Sequence, residues 1–294
     1  MICVEIVDSK YNKRTILNPV RFSGLGLHSG KSVLMTVKPS QQNTGIIFIR
    51  TDVLDDAKNS IKINYNNVTD LTFNTTISNE FGVEVSTVEH LLAALYSLKI
   101  TDCIVEIDSK ETPIMDGSSL IFLNGLKTTM IDEFEDKIPL AVIKKDIKVV
   151  DNQSSIEAKT PLYKDQFYIE FEIDFDCKEV GFQKFIFEPS KGDSFGSEIS
   201  HAKTFALKSD YDYLQSIGYA KGGRLDNGIL LEKEKIHNPQ ALTFKDDFVR
   251  HKILDFLGDL YTSGHLFSGR FYCKKSGHKL SNILLKTLFN HKND

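Results

Sequence analysis

The sequence predicts an α+β fold. Three observations carry this. Short apolar runs bounded by turn residues fill the first half, a period-two strand pattern marks the second, and helical patterns come late in each half. Strands and helices cluster instead of alternating as βαβ units. The 294 residues suffice for two ordinary domains. Residues 1–136 and 137–294 are expected to form an N-terminal and a C-terminal α+β domain.

Ser32–Val37, Gly45–Arg50 and Asp102–Ile107 read as strands, being β-branched or aromatic runs between turn residues. Thr87–Leu98 reads as a helix with Val88, Leu91, Leu92 and Leu95 on one face. Ser86 suits its N-cap, with Glu89 where a capping box wants it. The acidic stretch Ile131–Lys137 is expected to end a helix and link the domains. Strands resume over Leu140–Val150 and Gln166–Asp176. In the latter, Phe167, Ile169, Phe171, Ile173 and Phe175 alternate with Tyr168, Glu170, Glu172 and Asp174, giving a sheet with one buried face. A strand and turn follow over Gly181–Glu188, then helices Asp210–Ile217 and Asp246–Tyr261. A strand Gly269–Lys274 leads into a helix Lys279–Phe289, and the tail His291–Asp294 is expected to fray.

Hydrophobic residues at 41% and charged residues at 26% exclude a disordered or collagen-like chain. A net charge of −4 supplies no global field for nucleic acid, so no nucleic-acid partner is expected. No run of about 18 apolar residues exists to span a membrane. Cys3, Cys103, Cys177 and Cys273 are far apart and form no CxxC, as expected of reduced thiols in a cytoplasmic protein. The early acidic residues argue against a signal peptide.

The sharpest chemical feature is the helix Phe244–Tyr261. At about 100° per residue, Val249, Ile253, Phe256 and Leu260 share one side. His251, Lys252, Asp255 and Asp259 share the opposite stripe. Two readings are open: a solvated polar face with a His–Asp pair, or two ligands of one ion at i and i+4. Gly258, which costs about 1 kcal/mol against Ala in mid-helix, suggests that something approaches closely there. In the helix after Ser86, Glu89 and His90 read either as a capping residue and an exposed histidine, or as a carboxylate beside a third ligand. Two His and one carboxylate would leave an open position on zinc. His278, after Lys274-Lys275-Ser276-Gly277, is a loop histidine or a general acid. A helix N-terminus disfavours imidazolium, so an acid there needs a nearby carboxylate. Gly24–Gly30 lacks GxGxxG spacing and runs into a strand, which excludes a nucleotide loop. Pro113–Ser119 is a turn by its Asp-Gly.

In order along the chain, STVEHLLAAL, PIMDGSS, KTF, YLQSIG, FVRHKILDFLGDL and KSGH resemble the UDP-3-O-acyl-N-acetylglucosamine deacetylases, zinc amidases of lipid A (lipopolysaccharide) synthesis in Gram-negative bacteria. The resemblance runs from about Asn18 to Asn282. It implies two α+β domains of similar layered build with the active site between them. It implies that His90, His251 and Asp255 ligate Zn²⁺, with Fe²⁺ able to take the same ligands, and that Glu89 is the general base on the zinc water. His278 would be the protonated partner that aids the leaving amine, and Asp259 would orient and charge-stabilise it. Thr204 would stabilise the oxyanion, Lys252 would contact substrate, and Phe205 would flank the sugar. Phe175 resembles a uracil-stacking residue, although its phase sets it with the buried Ile173. His28 would lie near the site mouth without an assigned step.

The implied reaction releases acetate from a UDP-linked, 3-O-acylated N-acetylglucosamine, in a cytoplasmic monomer. Asp151–Phe167 matches the family poorly, so acyl-chain preference is not readable. A non-haem iron enzyme is the alternative for such a triad, but those commonly draw on H-x-D in a strand, whereas this HxxxD lies in a helix. An inactive binding homologue would predict a broken ligand set, and this one is complete.

Overall fold

The alternating pattern of the second half builds the larger sheet of the computed structural model, which describes residues 3–189 and 193–290. His291–Asp294 lie outside the described residues. The strand Phe167–Asp174 buries Phe167, Ile169, Phe171 and Ile173 and leaves the intervening residues partly exposed. It runs parallel to Leu266–Lys274, the hub of this sheet. The hub also pairs antiparallel with Ser154–Lys159 and parallel with Ile131–Ile143. A five-stranded sheet in the first half runs in the order Val20–Leu25, Ser32–Pro39, Cys103–Ile107, Ile46–Arg50, Ser60–Lys62. Its buried face carries Val33, Met35, Val37, Phe48 and Val105.

The described helices are α1 (Glu89–Leu98), α2 (Leu120–Lys127), α3 (Ser194–Glu198), α4 (Lys208–Ser216), α5 (Asp247–Tyr261) and α6 (His278–Phe289). Helix α2 packs on α1 and on Val20–Leu25, while α5 packs on α6 and on the strand Phe167–Asp174. The two groups meet where α1 lies on α5. Gly258 is the reason they can: a Cβ there would stand 2.1 Å from the Glu89 carbonyl oxygen. The close approach expected at this glycine is the backbone of α1 itself.

Two expectations fail. Ile131–Lys137 belongs to the strand Ile131–Ile143, not to a helix end or a linker. It pairs antiparallel with Val4–Ile16, placing Glu133 opposite Arg14 and Lys137 opposite Asn12. Both faces of this ribbon are largely polar, so no period-two signal marks it; the Arg14–Glu133 ion pair and the Lys137–Asn12 hydrogen bond join the strands. Ser86 does not cap α1. Its hydroxyl donates to the Lys110 carbonyl (3.1 Å), Thr87 takes φ 58°, and the helix starts at Glu89 without a side-chain cap. The strand Ile131–Ile143 spans the boundary expected between residues 136 and 137. We keep the two-unit division as a proposal, with Val4–Ile16 as an arm of the first unit in the second unit's sheet.

Candidate metal centre and acid–base site

The α1–α5 contact brings the two polar stripes together. His90 comes from the first turn of α1, and His251 and Asp255 from α5. His251 Nε2 lies 3.3 Å and His90 Nε2 3.7 Å from Asp255 Oδ1. The three side chains offer ligand atoms within 4.8 Å of one another, and all three are buried. The solvated-face reading of α5 is therefore excluded: the stripe that looked like surface faces α1.

These residues fit a metal ion. Atoms held about 2.0–2.1 Å from a tetrahedral zinc lie about 3.4 Å apart, close to the separations here. Burial lowers the pKa of both imidazoles, that of His90 to about 3, so both are neutral, as ligands must be. Asp255 is held ionised: burial opposes this, but the charge around it, the Lys252 ammonium included, outweighs burial. Lys252 Nζ donates to Asp255 Oδ2 (2.6 Å). His251 Nδ1 lies 3.0 Å from the Ala202 carbonyl, which fixes the ring with Nε2 toward the cluster. The buried His90 Nδ1 has no hydrogen-bond partner among the described residues.

Next to the triad stand a buried carboxylate and a carboxylate-held imidazole. Glu89 is buried, and desolvation raises its pKa to about 7 despite the opposing pull of His278. Its Oε2 accepts from the Thr75 backbone N–H (3.1 Å). His278 is the first residue of α6, and its Nδ1 lies 2.9 Å from Asp259 Oδ2. Burial would lower its pKa, but the Asp259 carboxylate outweighs burial and raises it to about 9. The conflict between a helix N-terminus and imidazolium is thus resolved by Asp259, on the stripe one turn beyond Asp255. His278 Nε2 lies 4.0 Å from Glu89 Oε1 and from Asp255 Oδ2.

A cleft of about 320 Å³ opens over these groups, lined by Glu89, His90, Thr204, Phe205, His251, Lys252, Asp255 and His278. Phe175 also lines it, only partly buried, edge-to-face with Phe205 at 5.3 Å. The strand has ended at Asp174, so the buried phase that Phe175 would have inherited does not apply. A channel of about 600 Å³ adjoins the cleft and shares Leu27, His28, Phe73, Thr204 and Phe205 with it. It continues past Ala206, Leu214, Ala220, Leu225 and Ile229. His28 sits at the junction; both ring nitrogens are buried without a hydrogen-bond partner among the described residues, and desolvation lowers its pKa.

Residues 13–290 match the family model for UDP-3-O-acyl N-acetylglycosamine deacetylase. The chain belongs to this family. It is 41% identical over 278 residues to the UDP-3-O-acyl-N-acetylglucosamine deacetylases of Histophilus somni (strain 129Pt) and Pasteurella multocida (strain Pm70). It is 40% identical over 277 residues to that of Haemophilus influenzae (strain PittEE). Each match covers 94% of this chain and 89% of the relative.

Every site residue expected from the deacetylase resemblance lies in this cleft or directly behind it. Of the residues that brace them, Thr75 and Glu111 had no sequence signal, and Gly117 and Ser119 were marked only as members of the PIMDGSS turn. Thr75 links the Glu89 side of the cleft to the His278 side: its N–H holds Glu89, and its hydroxyl donates to Asp259 Oδ1 (2.6 Å). Ser119, in the Pro113–Ser119 turn, donates to the His90 carbonyl (2.7 Å). Gly117 in the same turn accepts from the Thr204 N–H (2.8 Å). Buried Glu111 accepts from the N–H groups of His28 (2.7 Å) and Ser29 (2.8 Å), fixing the loop at the junction. These contacts pair residues remote in sequence, and a short polar residue in a loop looks the same whether it braces a site or faces water.

Proposed function

We propose that the cleft hydrolyses the N-acetyl group of a UDP-linked, 3-O-acylated N-acetylglucosamine, releasing acetate and the free amine for lipid A synthesis. The observation that carries this is the convergence of His90, His251 and Asp255 with a buried carboxylate and a carboxylate-held imidazolium on one cleft. We assign Zn²⁺ to the triad, with Fe²⁺ as the other candidate for the same ligands. A divalent ion there would polarise the amide carbonyl and lower the pKa of a water molecule to about 7.

The chain's own groups supply the rest. Glu89, with a pKa near neutrality, takes the proton of the attacking water. His278 donates a proton to the leaving nitrogen, and Asp259 keeps it charged until then. The Thr204 side chain lines the cleft, and we assign its hydroxyl to the oxyanion. Lys252 contributes positive charge toward substrate, which a chain of net charge −4 must supply locally for a diphosphate. Phe205 flanks the sugar and Phe175 stacks on the uracil. The acyl chain enters the apolar channel along Leu214, Leu225 and Ile229. That segment, rather than Asp151–Phe167, then governs chain-length preference.

No described helix is long and apolar enough to cross a membrane. We take the enzyme to act as a monomer in the cytoplasm, which sedimentation and cell fractionation check. The decisive experiment is acetate release with metal analysis. The 3-O-acylated substrate should turn over far faster than UDP-N-acetylglucosamine, because the chain fills the channel. Equal rates on both overturn the substrate assignment, and full activity in metal-free protein overturns the metal.

A further inference from the structure

Helix α1 has a second cleft at its other end. Glu89 and His90 start the helix; Tyr96, Ser97 and Lys99, about 15 Å away along the axis, border a cavity of about 610 Å³. Its floor is apolar, with Leu140, Phe167, Leu266 and Phe267. This lies in the range of about 300–1,000 Å³ usual for small-molecule sites.

One end of the cavity is cationic and uncompensated. Lys99 Nζ lies 4.5 Å and Lys10 Nζ 5.2 Å from the centre of the Tyr11 ring. Among the described residues neither ammonium has a carboxylate within ion-pair distance, unlike the neighbouring Arg14, which is paired with Glu133. Of the three acids lining the far end, Asp165 is flanked in the chain by Lys164, and the other two are engaged elsewhere. Glu188 accepts from Tyr163 and Gln166, and Asp193 is paired with Lys127. Capping α1 does not occupy these ammonium groups. The Lys99 N–H takes the Leu95 and Tyr96 carbonyls, and Arg14 takes the Leu98 carbonyl. Partial burial lowers the Lys99 pKa, and Arg14 and Lys10 add to that. A half-buried ammonium beside two like charges gains from any anion that can reach it.

We propose that this cleft binds a single-chain anionic amphiphile, its carboxylate or phosphate head on Lys10 and Lys99 and its chain on Leu140, Phe167, Leu266 and Phe267. The shared chemistry is one negative head and one apolar tail; a fatty carboxylate and a phosphorylated alkyl chain both carry it. The site is separate from the catalytic cleft and its acyl channel, and it requires nothing of the reaction.

Photolabelling of the full chain tests this, with dodecanoate carrying a terminal diazirine and peptide mapping of the products. The apolar channel can also take the probe, so position is the readout. We expect label on the peptides holding Phe167 and Leu266–Phe267. Lys10→Glu with Lys99→Glu should reduce it about tenfold or more, leaving any label near Leu225 unchanged. Lys10→Ala alone, at an exposed side chain, should also reduce it. Dodecyl phosphate should compete, and inorganic phosphate at the same concentration should not. Label confined to the channel overturns the proposal, as does cleft label indifferent to both lysine variants. Equal labelling by the uncharged diazirine alcohol removes the role of the head, and equal competition by inorganic phosphate removes that of the chain; either outcome also overturns it.

Discussion

Helices α4 and α5 carry the same local pattern with opposite results. In α4, Lys208 and Asp212 pair at i and i+4, with Nζ–Oδ2 at 2.7 Å and side chains 40% and 58% exposed. In α5, His251 and Asp255 pair at the same spacing, with side chains 3% and 7% exposed. Spacing alone cannot separate them. The first is a solvated ion pair, screened by water and contributing little. The second has been taken out of water, which costs several kcal/mol per charge unless further partners offset it. Those partners are His90 across the α1–α5 contact and Lys252, to which an ion suited to the three side chains would add. An i,i+4 pair becomes a ligand pair when a second element closes over it.

The contrast can be broken most severely at His251. His251→Ala should lose most bound metal and bring acetate release to background, read by metal analysis and product assay. Because the ring is buried, the variant should also lose about 1–3 kcal/mol of stability in denaturant titration. Tight binding of one equivalent of zinc by that variant would show the ligand assignment to be wrong.

Glu89→Ala and His278→Ala should each cost roughly 10²–10⁴ in rate while metal stays bound. The pH profile separates them. Glu89 must be deprotonated, so activity rises as pH passes upward through its raised pKa of about 7. His278 must be protonated, so activity falls as pH passes above its pKa of about 9. The result is a bell, and a cation in the triad moves both limbs to lower pH. Glu89→Ala should erase the acidic limb and His278→Ala the basic one. Asp259→Asn should have a smaller effect on rate and move the basic limb to lower pH, since the amide no longer favours imidazolium. Unchanged limbs in all three variants would mean that the acid and base lie elsewhere.

Gly258→Ala tests the contact that makes α5 differ from α4. In an isolated helix the change gains about 1 kcal/mol. Here the new methyl meets the Glu89 backbone, and overpacking should cost about 1–3 kcal/mol and lower activity by shifting α1. A stabilised, fully active variant would remove the argument. The smallest effect is expected in α4: Asp212→Ala should change stability by about 0.5 kcal/mol or less and leave acetate release unchanged.

Local patterns made much of this molecule legible. The alternation from Phe167 announced a one-faced strand, and the stripe on α5 announced an unusual helix. Gly258 marked a close contact before its partner was known. The Ile131–Lys137 ribbon was illegible because both its faces are largely polar and its partner lies more than a hundred residues away. Ser86 misled because a capping sequence is a local preference, and here the residue is held instead by pairing with the Lys110–Thr112 segment.

The sequence by itself determined the residue chemistry: two histidines and a carboxylate able to ligate, a carboxylate and an imidazole able to move protons, and an ordered motif set belonging to one family. Tertiary structure decided whether those groups meet water or each other. Periodicity assigns residues to faces of a helix, but what lies against a face depends on chain segments far away in sequence. Only the docking of α1 on α5 buries the triad. That burial raises Glu89, and the turn into α6 sets His278 against Asp259 so that it stays charged.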